Sequence, residues 1–300
     1  MPNTDVAIMF HNGHAYASGL RACGNIWTCP TCSARIRARR LQEIDTALTN
    51  HTMAGGQLGL MTLTLRHDRR MKLSDSLSRL NDAWATIQSR RQYQPLYNAT
   101  TGTIATLEIT YGENGWHPHL HIILLAGVDK TYWDLQAATE KLRPLWSRLA
   151  NTKSDRFTLR HGLDLTWFGK DSATIAKYVT KIAKEITLTD TKSGVDPFTL
   201  LDTDNAINAA RYIEYALATK GRQCHRWSNG LRRALLPECP IDQCTRTDEH
   251  QHDDSDLALN DETLGTEALI LSSEYWNSIS DLERLAWIEL VEAQHLFSSA

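Results

Sequence analysis

No run in this 300-residue chain is both apolar enough and long enough to cross a bilayer, which excludes a membrane-spanning helix. The opening residues, MPNTDVAIMFHNGHAYASG, lack the basic start and apolar stretch of a signal peptide. A cytoplasmic location with no membrane partner is expected. No internal repeat is visible, which excludes a solenoid or propeller. Cysteine is scarce, six in all. In a cytoplasmic chain of this size that argues against a disulfide framework. The six fall into two groups, Cys23, Cys29 and Cys32 early and Cys224, Cys239 and Cys244 late. Such grouping suggests thiolate ligands instead.

What is present is enough for one sizeable core with small attachments, since 42% of the residues are hydrophobic. The net charge of -3 hides a split. Up to Arg233 there are 30 Lys and Arg against 20 Asp and Glu; from Ala234 onward there are 2 against 15. A basic body with an acidic tail is compatible with a nucleic-acid partner.

Along the chain, residues 1–20 read as loose or as an edge element, and RACGNIWTCPTCS (21–33) as a cysteine knuckle. A basic helix follows from Ala34, with Ile36, Leu41, Ile44 and Leu48 roughly on one face. Strands are expected at 59–67, 101–112 and 116–127, the last two joined by the GENG turn signal into a hairpin. Helical spacing marks 74–92, 133–150, 171–187 and 205–220; 162–169 reads as a short strand and 190–204 as a loop. This order predicts an α+β fold, an antiparallel sheet with packed helices plus an N-terminal zinc knuckle. The expected division is 1–55 (knuckle and basic helix), 56–235 (the main domain) and 236–300 (acidic linker and helical tail, with helical periodicity over 266–297).

The sharpest signal is His117-Pro118-His119-Leu120-His121 at the start of the third strand. His119 and His121 are two apart, so both point to one face while Leu120 enters the core. Two imidazoles about 6–7 Å apart along a strand can grip one divalent ion. The partner strand supplies Glu108 within the apolar ATLEIT, where a buried carboxylate needs a partner or a metal. His117 can also be a ligand, although Pro118 leaves its direction open. The alternative is three surface histidines on a wet sheet. Mixed His and carboxylate ligands suit Mn²⁺, Mg²⁺ or Zn²⁺.

A metal that polarises a phosphate needs a nucleophile. The helix 171–187 carries Tyr178, with Lys181 on its face three residues later. Ammonium charge favours the phenolate and the transition state. Glu185, on the same helix, can activate water. The competing reading is a core aromatic beside solvated lysines, and Tyr212 and Tyr215 are the other candidates.

At this point the combination resembles the replication initiator (Rep) proteins of rolling-circle plasmids, in the HUH endonuclease superfamily, and most of all the group that begins with a cysteine motif. The resemblance runs over about 23–235: CGNIWTCPTCSARIRARR (23–40), MTLTLRH (61–67), LEITYGENGWHPHLHIILL (107–125), IAKYVTKIAKE (175–185) and GRQCHRWSNGLRRAL (221–235). It implies an HUH/RRM-like nuclease fold with the metal on one sheet face and the tyrosine helix opposite. It implies transesterification: Tyr178 attacks an origin phosphodiester, keeps the 5′-phosphate and frees a 3′-OH that primes synthesis. His119 and His121 become the histidine ligands of Mn²⁺ or Mg²⁺. Some related initiators carry a glutamate one turn before the tyrosine to activate water for termination; here that position is Thr174, so Glu185 or a second tyrosine takes the step.

Cys29 and Cys32 have the knuckle spacing of structural zinc, and Cys23 adds a third thiolate. Zn²⁺ is expected there, with His11, His14 or a late cysteine such as Cys224 as fourth ligand; otherwise these are small buried residues. Arg35, Arg37, Arg39 and Arg40 suit phosphate contacts, as do Arg66, Arg222 and Arg226. Trp227 is either a stacking platform for a base or a buried tryptophan. The expected partners are single-stranded or extruded origin DNA and, from the resemblance, the host helicase and polymerase. Competing readings are a relaxase or transposase with the same chemistry, a non-catalytic zinc-containing DNA-binding protein, and a metal-dependent hydrolase that uses water.

Overall fold

The computed structural model describes residues 5–11, 14–19, 23–150, 160–170, 194–201, 205–236 and 266–298. The expected tyrosine helix over 171–187, with Tyr178, Lys181 and Glu185, lies outside them, as do Cys239, Cys244 and the acidic stretch 237–265. The chain forms two compact units, Ile26–Gln251 and a smaller one made of Met1–Asn25 with His252–Ala300. The charge follows this division. The larger unit holds 30 basic against 23 acidic residues and the smaller 2 against 12.

In the larger unit α1 (Pro30–Met53) leads into β3 (Gln57–Thr64), after two strands of the smaller unit. Then come α2 (Leu73–Gln88), α3 (Gln94–Ala99), the long hairpin β4 (Thr100–Gly112) and β5 (Gly115–Ala126), α4 (Tyr132–Ala150) and β6 (Leu163–Gly169). After a 3₁₀ turn at Pro197–Leu200 follow α5 (Ala206–Thr219), β7 (His225–Trp227) and α6 (Leu231–Leu235). The five strands make an antiparallel sheet in the order β6-β3-β5-β4-β7. This is the expected α+β architecture. The expected loop at 190–204 contains the 3₁₀ turn and a backbone bridge from Val195 to Tyr111.

Period-two alternation assigns the two sheet faces. Leu58, Leu60, Ile104, Ile123 and Leu125 cluster with Ile44 and Leu48 of α1, so α1 covers the face that also carries His119 and His121. The other face holds Leu120, Ile122 and Leu124, all buried. Gly59, which pairs with Leu124, brings this face to 3.2 Å from Leu135 of α4, measured from where a Cβ would sit. Glu214 of α5 joins three elements here. It accepts the indole N–H of Trp116 (2.9 Å) and the backbone N–H of Leu73 at the start of α2 (2.9 Å).

The basic helix begins at Pro30, four residues before Ala34. Cys29 caps it, its Sγ accepting the Cys32 N–H, and proline at the first turn loses no hydrogen bond.

The smaller unit corrects one expectation. β1 (Val6–His11) and β2 (His14–Ser18) pair antiparallel, with β2 at the edge of a three-stranded sheet, the edge-element reading. Residues 266–271 are not helical but form β8 (Thr266–Leu271), which pairs with β1. Only then do α7 (Ser273–Ser278) and α8 (Asp281–Ser298) follow. Val6, Ile8, Leu271, Trp276 and Val291 form its core. The apolar run ALIL suits a strand once a partner exists, and that partner lies at the other end of the chain.

Truncating Ile123, fully enclosed between α1 and the sheet, should lower stability by about 2–5 kcal/mol in Ile123→Ala, read as a lower urea midpoint.

Candidate metal and nucleic-acid site

The sheet register builds the site. The β4–β5 hairpin closes at Gly112↔Gly115, and counting back from that turn sets Thr110↔His117, Glu108↔His119 and Thr106↔His121. Across the other edge of β5, Thr64 faces His119 and Thr62 faces His121. Paired residues share a face, so one polar patch spans three strands. Ligand atoms of Glu108, His119 and His121 lie within 4.8 Å of one another. His121 Nε2 sits 2.7 Å from Glu108 Oε2 and its Nδ1 3.2 Å from Thr62 Oγ1. The threonine therefore orients the ring from behind, as partners of metal-bound histidines do.

His119 supplies the test of fit. Its Nε2 is buried and has no hydrogen-bond partner. A buried polar atom without a partner is costly, and a metal ion would satisfy it. Burial, reinforced by the neighbouring His121 and His67, holds its pKa down at about 3. The ring is therefore neutral, the form that ligates. The donor set of two imidazoles and a carboxylate suits a divalent ion such as Mn²⁺ or Mg²⁺. His117 shares the face but stacks on His67 (ring centroids 4.1 Å) and meets His119 edge-on (3.8 Å). It belongs to a train of rings leading out from the three-residue group. Its pKa is also held at about 3, by burial first and then by His119 and His67.

Sulfur atoms of Cys23, Cys29 and Cys32 likewise lie within 4.8 Å of one another, a cluster suited to Zn²⁺. Cys29, at the N-terminus of α1, gains from the helix dipole as a thiolate. Among the described residues Cys224 does not join them. It is buried at the β4 edge, with its Sγ 3.9 Å from the Leu107 carbonyl. The side chains of His11 and His14 lie outside the described residues.

The second-tyrosine candidates are built into the structure. Tyr215 is 1% exposed, packed between Trp27 and Trp116, and burial raises its pKa. Tyr212 donates its hydroxyl to the Thr28 carbonyl (2.8 Å), and burial raises its pKa too.

Several of the expected phosphate-contacting side chains have partners within the protein. Arg37 is buried and lies over the Trp27 ring at 5.9 Å; Arg40 pairs with Glu43 at 3.1 Å. Arg222 donates to the Ala218 carbonyl and the Ser78 hydroxyl, and Arg226 to Asn81. Trp227 is half-buried and packs against the α1-side core. Arg39 is half-buried and Arg66 exposed, while the Arg35 side chain lies outside the described residues.

Sequence reasoning missed His225. It lies opposite Thr106 on the same face, and its Nδ1 is 3.1 Å from the Thr106 hydroxyl while its Nε2 is buried without a partner. Only the register of a three-residue strand puts it there, and no local pattern signals that.

Residues 20–154 match the Rep_1 family model, described as "Replication protein". The chain is 29% identical over 298 residues to "Protein rep" of Streptomyces lividans, covering 74% of this chain and 65% of that protein. It is 34% identical over 142 residues to a "Neomycin resistance protein" of Streptomyces cyanogenus, covering 38% of this chain and 32% of that one. The chain thus spans just under two thirds of the first relative's length and about a third of the second's. No solved structure matches. No helix among the described residues is long and apolar enough to cross a membrane.

Two measurements check the site. Calorimetric titration with Mn²⁺ should show one site that weakens by about tenfold or more in His119→Ala or His121→Ala. The second concerns acid stability. Burial, then the charges of Arg40 and Arg37, lowers the His225 pKa from 6.5 to about 3. Between these values the unfolded chain binds the extra proton, so stability is intact above 6.5 and falls as pH drops towards about 3. His225→Asn should flatten that dependence in urea unfolding between about pH 7 and about pH 5.

Proposed function

We propose that the chain, whose residues 20–154 match the family model described as "Replication protein", nicks single-stranded origin DNA through a 5′-phosphotyrosine intermediate and so initiates rolling-circle replication. The observation that carries the reading is the Glu108, His119 and His121 group with the unpartnered Nε2 of His119. A bound divalent ion supplies Lewis-acid polarisation of the scissile phosphate.

The chain's own residues do the rest. Glu108, His119 and His121 hold the ion, and Thr62 keeps the His121 ring in place. Tyr178 attacks phosphorus and Lys181 favours its phenolate form. With Tyr212 and Tyr215 both tied up, Glu185 is the helix's own candidate for activating water at termination. Arg35, Arg39 and Arg66 contact DNA phosphates, and the cysteine cluster, loaded with Zn²⁺, fixes the start of α1 beside them. Extruded origin DNA is the substrate, and a host helicase and polymerase extend the freed 3′ end.

Purified protein and Tyr178→Phe should be incubated with labelled single-stranded origin DNA and Mn²⁺, and the products run on a denaturing gel with and without protease. A protease-sensitive adduct is expected from the wild type and none from the variant. Cleavage without an adduct would replace the tyrosine with water as nucleophile.

A further inference from the structure

The outer edge of β4 is covered by two short pieces of chain. β7 pairs with Ile104–Thr106, and residues 194–196 close the stretch nearer the hairpin turn. The Tyr111 N–H donates to the Val195 carbonyl (3.0 Å) and the Val195 N–H to the Tyr111 carbonyl (2.8 Å). Gly194 makes this approach possible. Its φ is +147°, and a Cβ there would lie 2.8 Å from the Tyr111 carbonyl oxygen.

A bridge between 111 and 195 in antiparallel sense brings Asp196 beside Thr110. Thr110 is two residues from Glu108, so Asp196 flanks the face that carries the metal ligands. Its position is fixed. One carboxyl oxygen accepts the Phe198 N–H (2.7 Å), and its carbonyl accepts the Thr199 hydroxyl (2.7 Å). The charges of both Glu108 and Arg37 reach the carboxyl. The neighbouring Thr110 hydroxyl is buried without a partner. Asp196 itself is only partly buried.

Two carboxyls thus flank one site with different surroundings. Glu108 is bonded to His121 inside the metal group. Asp196 sits outside it, and its pKa is raised above the ordinary carboxyl value, by burial first and also by Glu108, against the pull of the Phe198 N–H and of Arg37. Carboxyls with separated tasks are a recurring way to run acid and base chemistry together. Breaking a phosphodiester at O3′ expels an alkoxide, a strong base that departs far more easily as an alcohol.

We propose that Asp196 is the general acid that protonates the leaving 3′ oxygen. The inference rests on the phosphotyrosine reading above. In the step, the nucleophile's oxygen forms its bond to phosphorus and the P–O3′ bond breaks. The pair of that bond goes to O3′, which takes the Asp196 proton and leaves as a free 3′-OH. Asp196 remains as a carboxylate, and the proton given up by the nucleophile's hydroxyl restores it through solvent.

The test compares single-turnover adduct formation by wild type and Asp196→Asn on two origin oligonucleotides, one natural and one with sulfur replacing O3′ at the scissile phosphate. A thiolate leaves without a proton. Asparagine keeps an oxygen for the Phe198 N–H, so the turn is preserved. Expected is a loss of about 100-fold or more on the natural strand and less than about threefold on the sulfur strand. Mn²⁺ affinity, read by calorimetry without DNA, should stay within about threefold of wild type. Equal losses on both strands, no loss on the natural strand, or Mn²⁺ binding weakened about tenfold would overturn the assignment while leaving the phosphotyrosine reading intact. Wild type that forms no adduct on either strand would overturn both.

Discussion

Everything in the site depends on the register of one hairpin. The pairing Gly112↔Gly115 at its tip decides that Glu108 meets His119 and Thr106 meets His121. A slip of one residue would send both histidines to the opposite face, among Leu120, Ile122 and Leu124, and bring those leucines and the isoleucine out beside α1. The register is held from both directions. The apolar stretch of β5 is buried on both faces, and the polar end is anchored by the His121–Glu108 and His121–Thr62 contacts. The ligand geometry is therefore a by-product of core packing, and the rigidity of the core is passed directly to it.

The helix α1 divides the same face into two regimes. Its C-terminal half, with Ile44 and Leu48, seals the apolar rows, while its N-terminal half brings Arg37 and Arg40 towards His225. Its first turn starts at the cysteine cluster, and the chain around that turn is held by the Trp27 indole on the Arg222 carbonyl (2.7 Å) and by Tyr212 on Thr28. Cys29, through its cap contact with the Cys32 N–H, ties the cluster to the start of a helix whose C-terminal half covers the apolar rows of that face.

Much of this was legible in the sequence. Alternation in MTLTL and LEIT, the GENG turn and the spacing of HPHLH gave the hairpin and the metal group, because hairpin register is a local property. The arginines were legible only as charge. Charge announces affinity for phosphate, while the contacts of Arg222, Arg226 and Arg40 with Ser78, Asn81 and Glu43 come from the tertiary fold alone. The packing of the half-buried Trp227 against the core was hidden for the same reason. His225 and Asp196 were invisible because each reaches the site through a short edge segment whose pairing spans many residues of sequence. β8 was hidden likewise: ALIL reads equally as helix or strand until Val6–Phe10 is placed beside it.

The pairing of β1 with β8 has a consequence for biosynthesis. Val6 lies opposite Leu271, so β1 finds its neighbour only once the chain has been made through β8. The larger unit lies entirely between them in the chain and can fold first. Until then the β1–β2 hairpin carries an open edge and an uncovered apolar face, Val6 and Ile8, without Trp276 and Val291 to shield it. A product truncated before residue 266 lacks β8 and keeps that edge open, which offers quality-control proteases and chaperones a ready handle.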